Sequence, residues 1–193
     1  LCRRLGEDRS DGTPHIVHLI REMLADRAIW PLIEFLSVDE DGDHAARCQT
    51  SCYRCIQRYG NRSYHGLLDW RLGLTYLRAL VTPGYTAGLD AKDQMFPETT
   101  GWSQRALALA EAVAGMRPDS LSVEVHGPSN LPVLREKHKG GDTFLIVHPL
   151  WRVDGDFGKS LSDGAEVKFL DTFNLERRPL RAIELAKIDQ MLR

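Results

Sequence analysis

Apolar residues in the first third of the chain recur at helical spacing. Between positions 16 and 24 they lie three or four residues apart, after Pro14, which suits a first helical turn. This pattern predicts a helix over 14–36, with a break near Pro31. We expect an acidic turn at 37–43, and one or two further helical turns at 53–60.

A second apolar stripe predicts a longer helix from about His65 to Val81, which Pro83 would end. An Ala/Leu-rich helix is expected after it, capped by Ser103 and running to about Met116. The stripe of the longer helix consists of Leu67, Trp70, Leu74, Leu77 and Val81.

The periodicity changes from helical to alternating after Pro118. Strands are expected at 121–125, 143–148 and 165–170, with glycine- and aspartate-rich turns between them. The last segment, 180–192, returns to helical spacing. The whole pattern predicts an α+β fold, in which a helical subdomain is followed by a small mixed α/β subdomain.

Shifts in composition divide the chain into three regions. Residues 1–82 are predicted to be helical and hold the cysteines, and 83–101 are predicted to be a linker rich in Gly, Pro, Thr and Asp. Residues 102–193 are the predicted C-terminal α+β region. Because the chain begins at Leu1 and not at a methionine, we expect it to be the C-terminal piece of a longer polypeptide.

The composition is that of a folded protein. Of 193 residues, 42% are hydrophobic and 27% are charged, with a formal net charge of −2. No apolar run approaches the roughly 18 residues that a membrane helix needs, and no secretory signal pattern opens the chain. We therefore expect a cytoplasmic protein without membrane contact, whose clustered thiols are metal ligands and not disulfides.

His44, Cys48, Cys52 and Cys55 lie within twelve residues of one another. Three sulfurs and one nitrogen are the ligands of a closed tetrahedral Zn²⁺ site, and a CxxC turn lets two thiolates bind one ion. His44 precedes Cys48 by four residues, so the two can share a helical face. The sequence therefore predicts a zinc site with a structural role.

Spacing alone leaves the fourth ligand open, because Cys2 and His65 compete with His44. Reduced cysteines can also be buried as small hydrophobic residues. A redox pair is less favoured, since no βαβ pattern surrounds the cysteines. A catalytic zinc would need an open position and a nearby acid or base, which the acidic residues 39–43 could offer, but three thiolates make a poor Lewis acid.

The region 44–82 is locally basic. It holds six arginines and one acidic residue, a local charge of +5 in a chain of net charge −2. Arginines interleaved with aromatic residues are typical of single-strand binding. The predicted nucleic-acid contacts are Arg54, Arg58, Arg62 and Arg71. The neighbouring aromatic residues are expected mainly in the core; they are Tyr53, Tyr59, Tyr64 and Trp70.

Two short motifs adjoin the cysteines. They are Cys52-Tyr-Arg-Cys-Ile-Gln-Arg-Tyr-Gly-Asn61 and His65-Gly-Leu-Leu-Asp-Trp-Arg-Leu-Gly-Leu74. Together they resemble the signature of the MZB domain, the MrfA-type zinc-binding domain near the C-terminus of DEAD/DEAH-box superfamily-2 helicases and of associated proteins. Ile56 stands where that family usually has leucine. Residues 143–179 also resemble the tail of these helicases.

The resemblance implies a four-ligand zinc site, to which Cys48, Cys52 and Cys55 carry over. The family usually clusters four cysteines, and His44 is the candidate substitute for the fourth. The resemblance also implies that the parent protein is an ATP-dependent helicase acting in DNA repair or prokaryotic anti-phage defence. The implied partners are DNA, through that helicase, and either an upstream motor domain or a subunit of a defence complex.

Two residues of the motifs have separate structural interpretations. Asn61 suits the left-handed conformation at a helix end. Asp69, near the start of the long helix, is favoured by the helix dipole and could also pair with Arg62 or Arg71. Neither interpretation requires catalysis.

The function that we expect is therefore an accessory zinc-binding domain with no catalytic residues of its own. It should not hydrolyse nucleotides by itself, because it has no Walker-type loop. One alternative is a PD-(D/E)xK-like nuclease, in which Asp142, Glu166 and Glu124 would hold Mg²⁺ and Lys168 would assist the attacking water. Another is a protein-interaction module of a defence complex.

Overall fold

The computed structural model describes residues 2–25, 29, 32–37, 44–127 and 129–191. The chain forms two compact units, Leu1–Thr100 and Gly101–Arg193. The fold class is α+β, as the sequence predicts, because the first unit is helical and the second contains a four-stranded mixed sheet. Residues 83–100, predicted to be a linker, are part of the first unit.

The first unit contains short helices. The predicted helix over 14–36 is present as two helices, and Pro31, where the break is predicted, lies outside the described residues. The α-helices are α1 (Cys2–Gly6), α2 (His15–Ala25), α3 (Leu32–Ser37), α4 (His44–Arg47) and α5 (Trp70–Val81), and 3₁₀ turns span Tyr59–Leu67 and Asp93–Met95.

The start of α5 is fixed by Asp69. Its carboxylate accepts a hydrogen bond from the Leu72 backbone N–H at 3.0 Å, which caps the helix, so α5 begins at Trp70 and not near His65. The residues before it follow the tighter 3₁₀ path of 59–67. Asp69 therefore sits at the helix start, as expected from the dipole.

Asn61 does not adopt the left-handed conformation predicted for it. Its φ is −113°, and it works instead through its side chain. The amide oxygen accepts from the Arg58 N–H at 2.7 Å, and the amide nitrogen donates to the Ile56 carbonyl at 3.0 Å. These two bonds hold the 53–60 turn, where helical turns are predicted, in a non-helical path until residue 59.

Residues 83–100 have a buried polar centre. Asp93 is buried and accepts hydrogen bonds from the backbone and the hydroxyl of Thr86, at 2.5 and 2.6 Å. Glu98 is fully buried and pairs with Arg78 of α5, whose guanidinium lies 3.7 Å from the Phe96 ring centroid. Polar composition predicts a linker here, but these buried contacts attach the segment to α5.

The second unit is built on one sheet. The strands lie in the order β1-β2-β3-β4; the first two pairs are antiparallel and β3 pairs with β4 in parallel. The helix between β3 and β4 supplies the crossover that a parallel pair needs. The elements are α6 (Trp102–Met116), β1 (Leu121–His126), β2 (Leu131–Glu136), β3 (Thr143–Val147), α7 (Gly155–Ser162), β4 (Lys168–Asp171), α8 (Thr172–Arg177) and α9 (Pro179–Met191).

The pattern of the sequence finds three of these strands and misses β2. Pro132 lies in β2 opposite Val125 of β1, and proline is unusual in a strand with neighbours on both sides.

Helix α6 packs on the sheet through Ala106, Ala110 and Val113, which are all buried. The helix begins after Gly101 and not after the predicted cap Ser103. Among the described residues, no helix is long and apolar enough to cross a membrane.

A buried histidine lies among the aromatic residues of the second unit. His148 follows β3, and its ring centroid is 5.7 Å from that of Trp102 and 6.0 Å from that of Trp151. Its Nδ1 accepts the Leu150 backbone N–H at 3.2 Å. Burial, and then the charge of Arg105, lower the pKa of His148 to about 4, so the folded protein holds it neutral at pH 7.

We expect Glu98→Gln to destabilise the first unit by about 3 kcal/mol or more, since it leaves the Arg78 charge buried without its counter-ion. Asp90→Asn is the matched control, because the Asp90–Lys92 pair is exposed and should change stability by less than about 1 kcal/mol. Denaturant unfolding followed by circular dichroism measures both. Equal stabilities for the two variants would contradict the assignment of Arg78–Glu98 as a structural pair.

The second unit should lose stability as the pH falls from about 6.5 to about 4. In this range the unfolded chain binds a proton at His148 while the folded chain does not, so unfolding becomes more favourable. The expected loss is on the order of 3 kcal/mol. His148→Asn, which keeps an acceptor for the Leu150 N–H, should flatten the pH dependence in thermal melts of the second unit. An unchanged pH profile in that variant would show that other groups are responsible.

Candidate metal centre

The four predicted ligands come together because the chain turns sharply twice within 44–55. Helix α4 is one turn long, and the Cys48 N–H donates to the His44 carbonyl at 2.8 Å, which places both side chains on the same side. A second turn closes when the Cys55 N–H donates to the Cys52 carbonyl at 3.1 Å. The CxxC turn and the α4 turn therefore bring their four ligand atoms together around one position.

The distances between the ligand atoms are close to those of a tetrahedral zinc site. All four atoms lie within 4.8 Å of one another. Cys48 Sγ is 3.9 Å from Cys55 Sγ, and His44 Nε2 is 3.3 Å from Cys52 Sγ. Ordinary Zn–S and Zn–N bonds at tetrahedral angles place two sulfurs about 3.8 Å apart and a sulfur and a nitrogen about 3.6 Å apart. Little movement is needed for these residues to hold one zinc ion.

The orientation of His44 is set from outside the cluster. Its Nδ1 lies 2.7 Å from the Leu36 carbonyl oxygen in α3. A carbonyl can only accept, so Nδ1 carries the proton and Nε2 presents its lone pair to the cysteines. A backbone carbonyl on the far ring nitrogen is the usual way in which proteins fix a metal-binding histidine.

The cluster is closed to solvent on most sides. Cys55 is fully buried, and Cys48 and His44 are 6% and 3% exposed, whereas Cys52 is half-buried. Four protein ligands in a buried setting leave no open position for a substrate or an activated water. The geometry therefore fits a structural zinc site and not a catalytic one.

The thiols of Cys48 and Cys52 differ in pKa. Burial, and then the nearby Cys55 and Cys52, raise the pKa of the Cys48 thiol. Burial also raises the pKa of Cys52, but hydrogen bonds, among them those from the Arg54 and Cys55 backbone, outweigh it, so the pKa of Cys52 falls to about 7. The Cys52 N–H also points at Cys55 Sγ, at 3.1 Å. The backbone thus favours the thiolate form of Cys52.

Helix α5 fastens the ligand loop through its first two residues. Trp70 is buried; its backbone N–H donates to the Thr50 carbonyl at 2.9 Å and its indole N–H donates to the Cys48 carbonyl at 3.1 Å. Arg71 donates to the carbonyls of Gln49, Ala45 and Pro97, and its guanidinium lies 4.3 Å from the Trp70 ring centroid. The loop is therefore fixed by backbone contacts as well as by its own ligands.

The rival fourth ligands have different positions. The Nε2 of His65 lies 2.9 Å from the Asn61 amide oxygen and 3.0 Å from the Arg58 carbonyl, so it donates to the 3₁₀ segment and not to the cluster. The side chain of Cys2 lies outside the described side chains. The structure brings His44 to the three cysteines and places His65 elsewhere.

The predicted nucleic-acid residues separate into two groups. Arg54 in the CxxC turn, and Arg58 and Arg62 after it, are exposed, and the Arg58 guanidinium also donates to the carbonyls of Gln57 at 2.7 Å and Tyr53 at 3.4 Å. Arg71, by contrast, is half-buried and faces three backbone carbonyls of the first unit, so its role is internal.

The tyrosines expected in the core are exposed instead. The exposed fractions are 65% for Tyr53, 85% for Tyr59 and 61% for Tyr64, whereas Trp70 is buried as expected. The tyrosines follow a turn and a 3₁₀ segment, which have no regular apolar face to bury.

The residues of the nuclease alternative do not form a metal site. Lys168 lies 2.8 Å from Asp142, and Lys187 lies 2.6 Å from Glu136 and 3.8 Å from Asp142, so lysines neutralise both carboxylates. Glu166 is exposed before β4, and Glu124 pairs with Arg135 on the adjacent strand at 3.2 Å. Among the described residues, only His44 and the three cysteines group as metal ligands.

The backbone carbonyls that hold His44 and Arg71 could not be predicted from the sequence. The Leu36 carbonyl orients His44, and the carbonyls of Ala45 and Pro97 hold Arg71. Every residue has a carbonyl, so no residue type marks them. The one available signal is the chemistry of arginine, whose guanidinium can donate to several acceptors at once.

Comparison with known proteins adds no relative. No family model, no curated protein and no solved structure matches this chain.

We expect Cys52→Ser, Cys55→Ser and His44→Ala to reduce bound zinc from about one equivalent per chain to nearly none, since each removes one of four ligands. His65→Ala and Cys2→Ser are the matched controls and should retain the metal. Elemental analysis of protein purified with zinc measures the content. Full zinc in His44→Ala together with loss in Cys2→Ser would assign the fourth ligand to Cys2.

Proposed function

We propose that this chain is the zinc-binding accessory region of a helicase-like DNA-processing protein, in which the metal supports a surface for DNA or for a partner. The observation that supports this most directly is the closed cluster of His44 and three cysteines, all within 4.8 Å. A closed site performs no chemistry, so its value lies in the structure that it holds.

The charge of the neighbouring surface supports DNA as the ligand. Arg47, Arg54, Arg58 and Arg62 are exposed, and they occupy a short stretch that begins inside the ligand loop. Exposed arginines in one patch neutralise phosphates and release counter-ions, which makes nucleic acid the natural partner of such a patch. Because the net charge of the whole chain is −2, attraction to phosphates is expected at these arginines and not over the whole surface.

The helicase part of the proposal rests on the MZB resemblance of the two motifs around the cysteines. In that proposal, a motor domain elsewhere in the parent protein hydrolyses ATP, and the pathway is DNA repair or anti-phage defence. Asn61, His65, Asp69 and Arg71 all belong to the motifs, and each makes a contact that shapes the ligand loop or the segment after it. In this proposal, the residues shared with the motifs support the fold of the zinc module.

Removing the metal from the full chain should loosen the first unit and abolish DNA binding. Three of the ligands belong to the core of that unit or pack against it. A chelator would remove the metal that connects these side chains and would therefore destabilise the core. Hydrogen–deuterium exchange should rise in the first unit and stay unchanged in the second, which serves as an internal control. Fluorescence anisotropy with labelled DNA should show binding lost with the chelator and restored by zinc.

Two outcomes would count against the proposal. DNA binding that survives complete zinc removal would show that the metal does not support the surface. Absence of DNA binding by the zinc-loaded chain, at low salt and with intact zinc content, would favour the protein-interaction alternative. Where binding is seen, its logarithm should fall with the logarithm of salt concentration with a slope of about −2 to −3, as expected for three or four phosphate contacts on a single strand.

A further inference from the structure

The end of the ligand loop and the segment after it expose several aromatic and cationic side chains. We call Tyr53, Arg54, Arg58, Tyr59, Arg62 and Tyr64 the tyrosine–arginine surface. All six are exposed, and Tyr59 is 85% exposed. Scattered exposed tyrosines are common, but here three tyrosines and three arginines are exposed within twelve residues of the chain.

This surface has a defined backbone. Asn61 bonds to Arg58 and Ile56, and His65 bonds to both Asn61 and Arg58, which ties the two ends of the segment together. The ring of Tyr53 meets the ring of His65 edge-on, with centroids 5.3 Å apart. Rings held on a fixed backbone lose less entropy when they stack on a ligand.

A cleft beside the metal centre extends the surface. It is lined by His44, Arg47, Cys48, Gln49, Thr50, Ser51, Cys52 and Arg54. Arg54 belongs both to the lining of the cleft and to the tyrosine–arginine surface. Two exposed arginines with two nearby hydroxyl residues form a setting suited to a phosphate group.

We infer that the tyrosine–arginine surface binds unpaired nucleic-acid bases, with the rings of Tyr53, Tyr59 and Tyr64 as stacking partners and the backbone phosphates at the arginines. This rests on the proposed function and narrows its ligand from DNA in general to a single strand. Stacking on a side chain needs an accessible base face, which a duplex keeps covered. Arginines alone would bind duplex and single strand by charge.

The order of residues favours a strand running along the segment. Arg47 and Arg54 at the cleft would take one phosphate, and Arg58 and Arg62 would take later phosphates between the successive rings. Stacking tolerates every base, because each has a π-face, so little sequence preference is expected. Single-stranded DNA and RNA both offer bases for stacking and phosphates for the arginines, so the experiment below compares the two.

The test uses the zinc-loaded full chain and fluorescence anisotropy with a labelled oligo-dT, an oligo-rU of equal length and a DNA duplex of equal length. Tyr59→Ala and Tyr64→Ala should each weaken oligo-dT binding by about 5-fold to 100-fold, the range for loss of one stacked base. Tyr59→Phe should bind as the parent protein does, since the ring remains. Tyr76→Ala, at an exposed tyrosine of α5, is the matched control and should have no effect.

The salt dependence separates the stacking contribution from the charge. Tyrosine-to-alanine variants should leave the slope of log affinity against log salt unchanged, whereas Arg58→Gln should reduce its magnitude by about 0.7. Comparison of oligo-dT with oligo-rU then assigns the strand as DNA or RNA, and weaker binding of the duplex than of either single strand is expected.

The possible failures are distinguishable. If the alanine variants at Tyr59 and Tyr64 bind oligo-dT as tightly as the parent chain while Arg58→Gln weakens binding, the stacking inference is wrong and the charge-based proposal stands. If the parent chain prefers the duplex, the single-strand inference is also wrong. If the zinc-loaded parent chain binds none of the three probes, both proposals fail. Zinc content measured for every variant excludes misfolding as the cause of a loss.

Discussion

The core of the first unit is built where the metal ligands meet. Cys48 and Cys55 belong to the same buried cluster as Ile33, Leu36 and Trp70, and Cys52 packs against it. Thiols pack as small hydrophobic groups, yet three of them beside an imidazole repel one another once they lose their protons. A zinc ion bound at this site would replace that repulsion with four metal–ligand bonds. Helices as short as α3 and α4 contribute little stability by themselves, so such a link would stabilise the core that they help to form.

Residue type and spacing identify the parts of this site that are side chains. The cysteines, His44 and the capping role of Asp69 follow from local rules that need no tertiary structure. The orientation of His44 and the partners of Arg71 do not follow, because they depend on carbonyls that any residue could supply. The prediction that the tyrosines lie in the core is wrong for a related reason. Burial depends on whether an element has an apolar face, and the 3₁₀ segment has none.

The second unit shows how sequence motifs for catalysis can be structural. Asp142, Lys168, Lys187 and Glu136 join the end of β2, the start of β3, β4 and α9 through alternating charges. Burial raises the pKa of Glu136, but bonds from Lys187 and the Asp142 N–H outweigh it and hold the pKa below its usual value. The strand β2 itself was hidden by Pro132. A central strand with a proline and a charged end lacks the alternation by which strands are recognised.

The use of a histidine at position 44 has a consequence for the helix that precedes it. The imidazole spans the gap between the Leu36 carbonyl and the metal position, so one side chain serves both a ligand and a backbone acceptor. A cysteine there would supply a ligand but would be shorter and would leave the carbonyl without its donor. The residue at position 44 and the end of α3 therefore constrain each other through the Leu36 carbonyl.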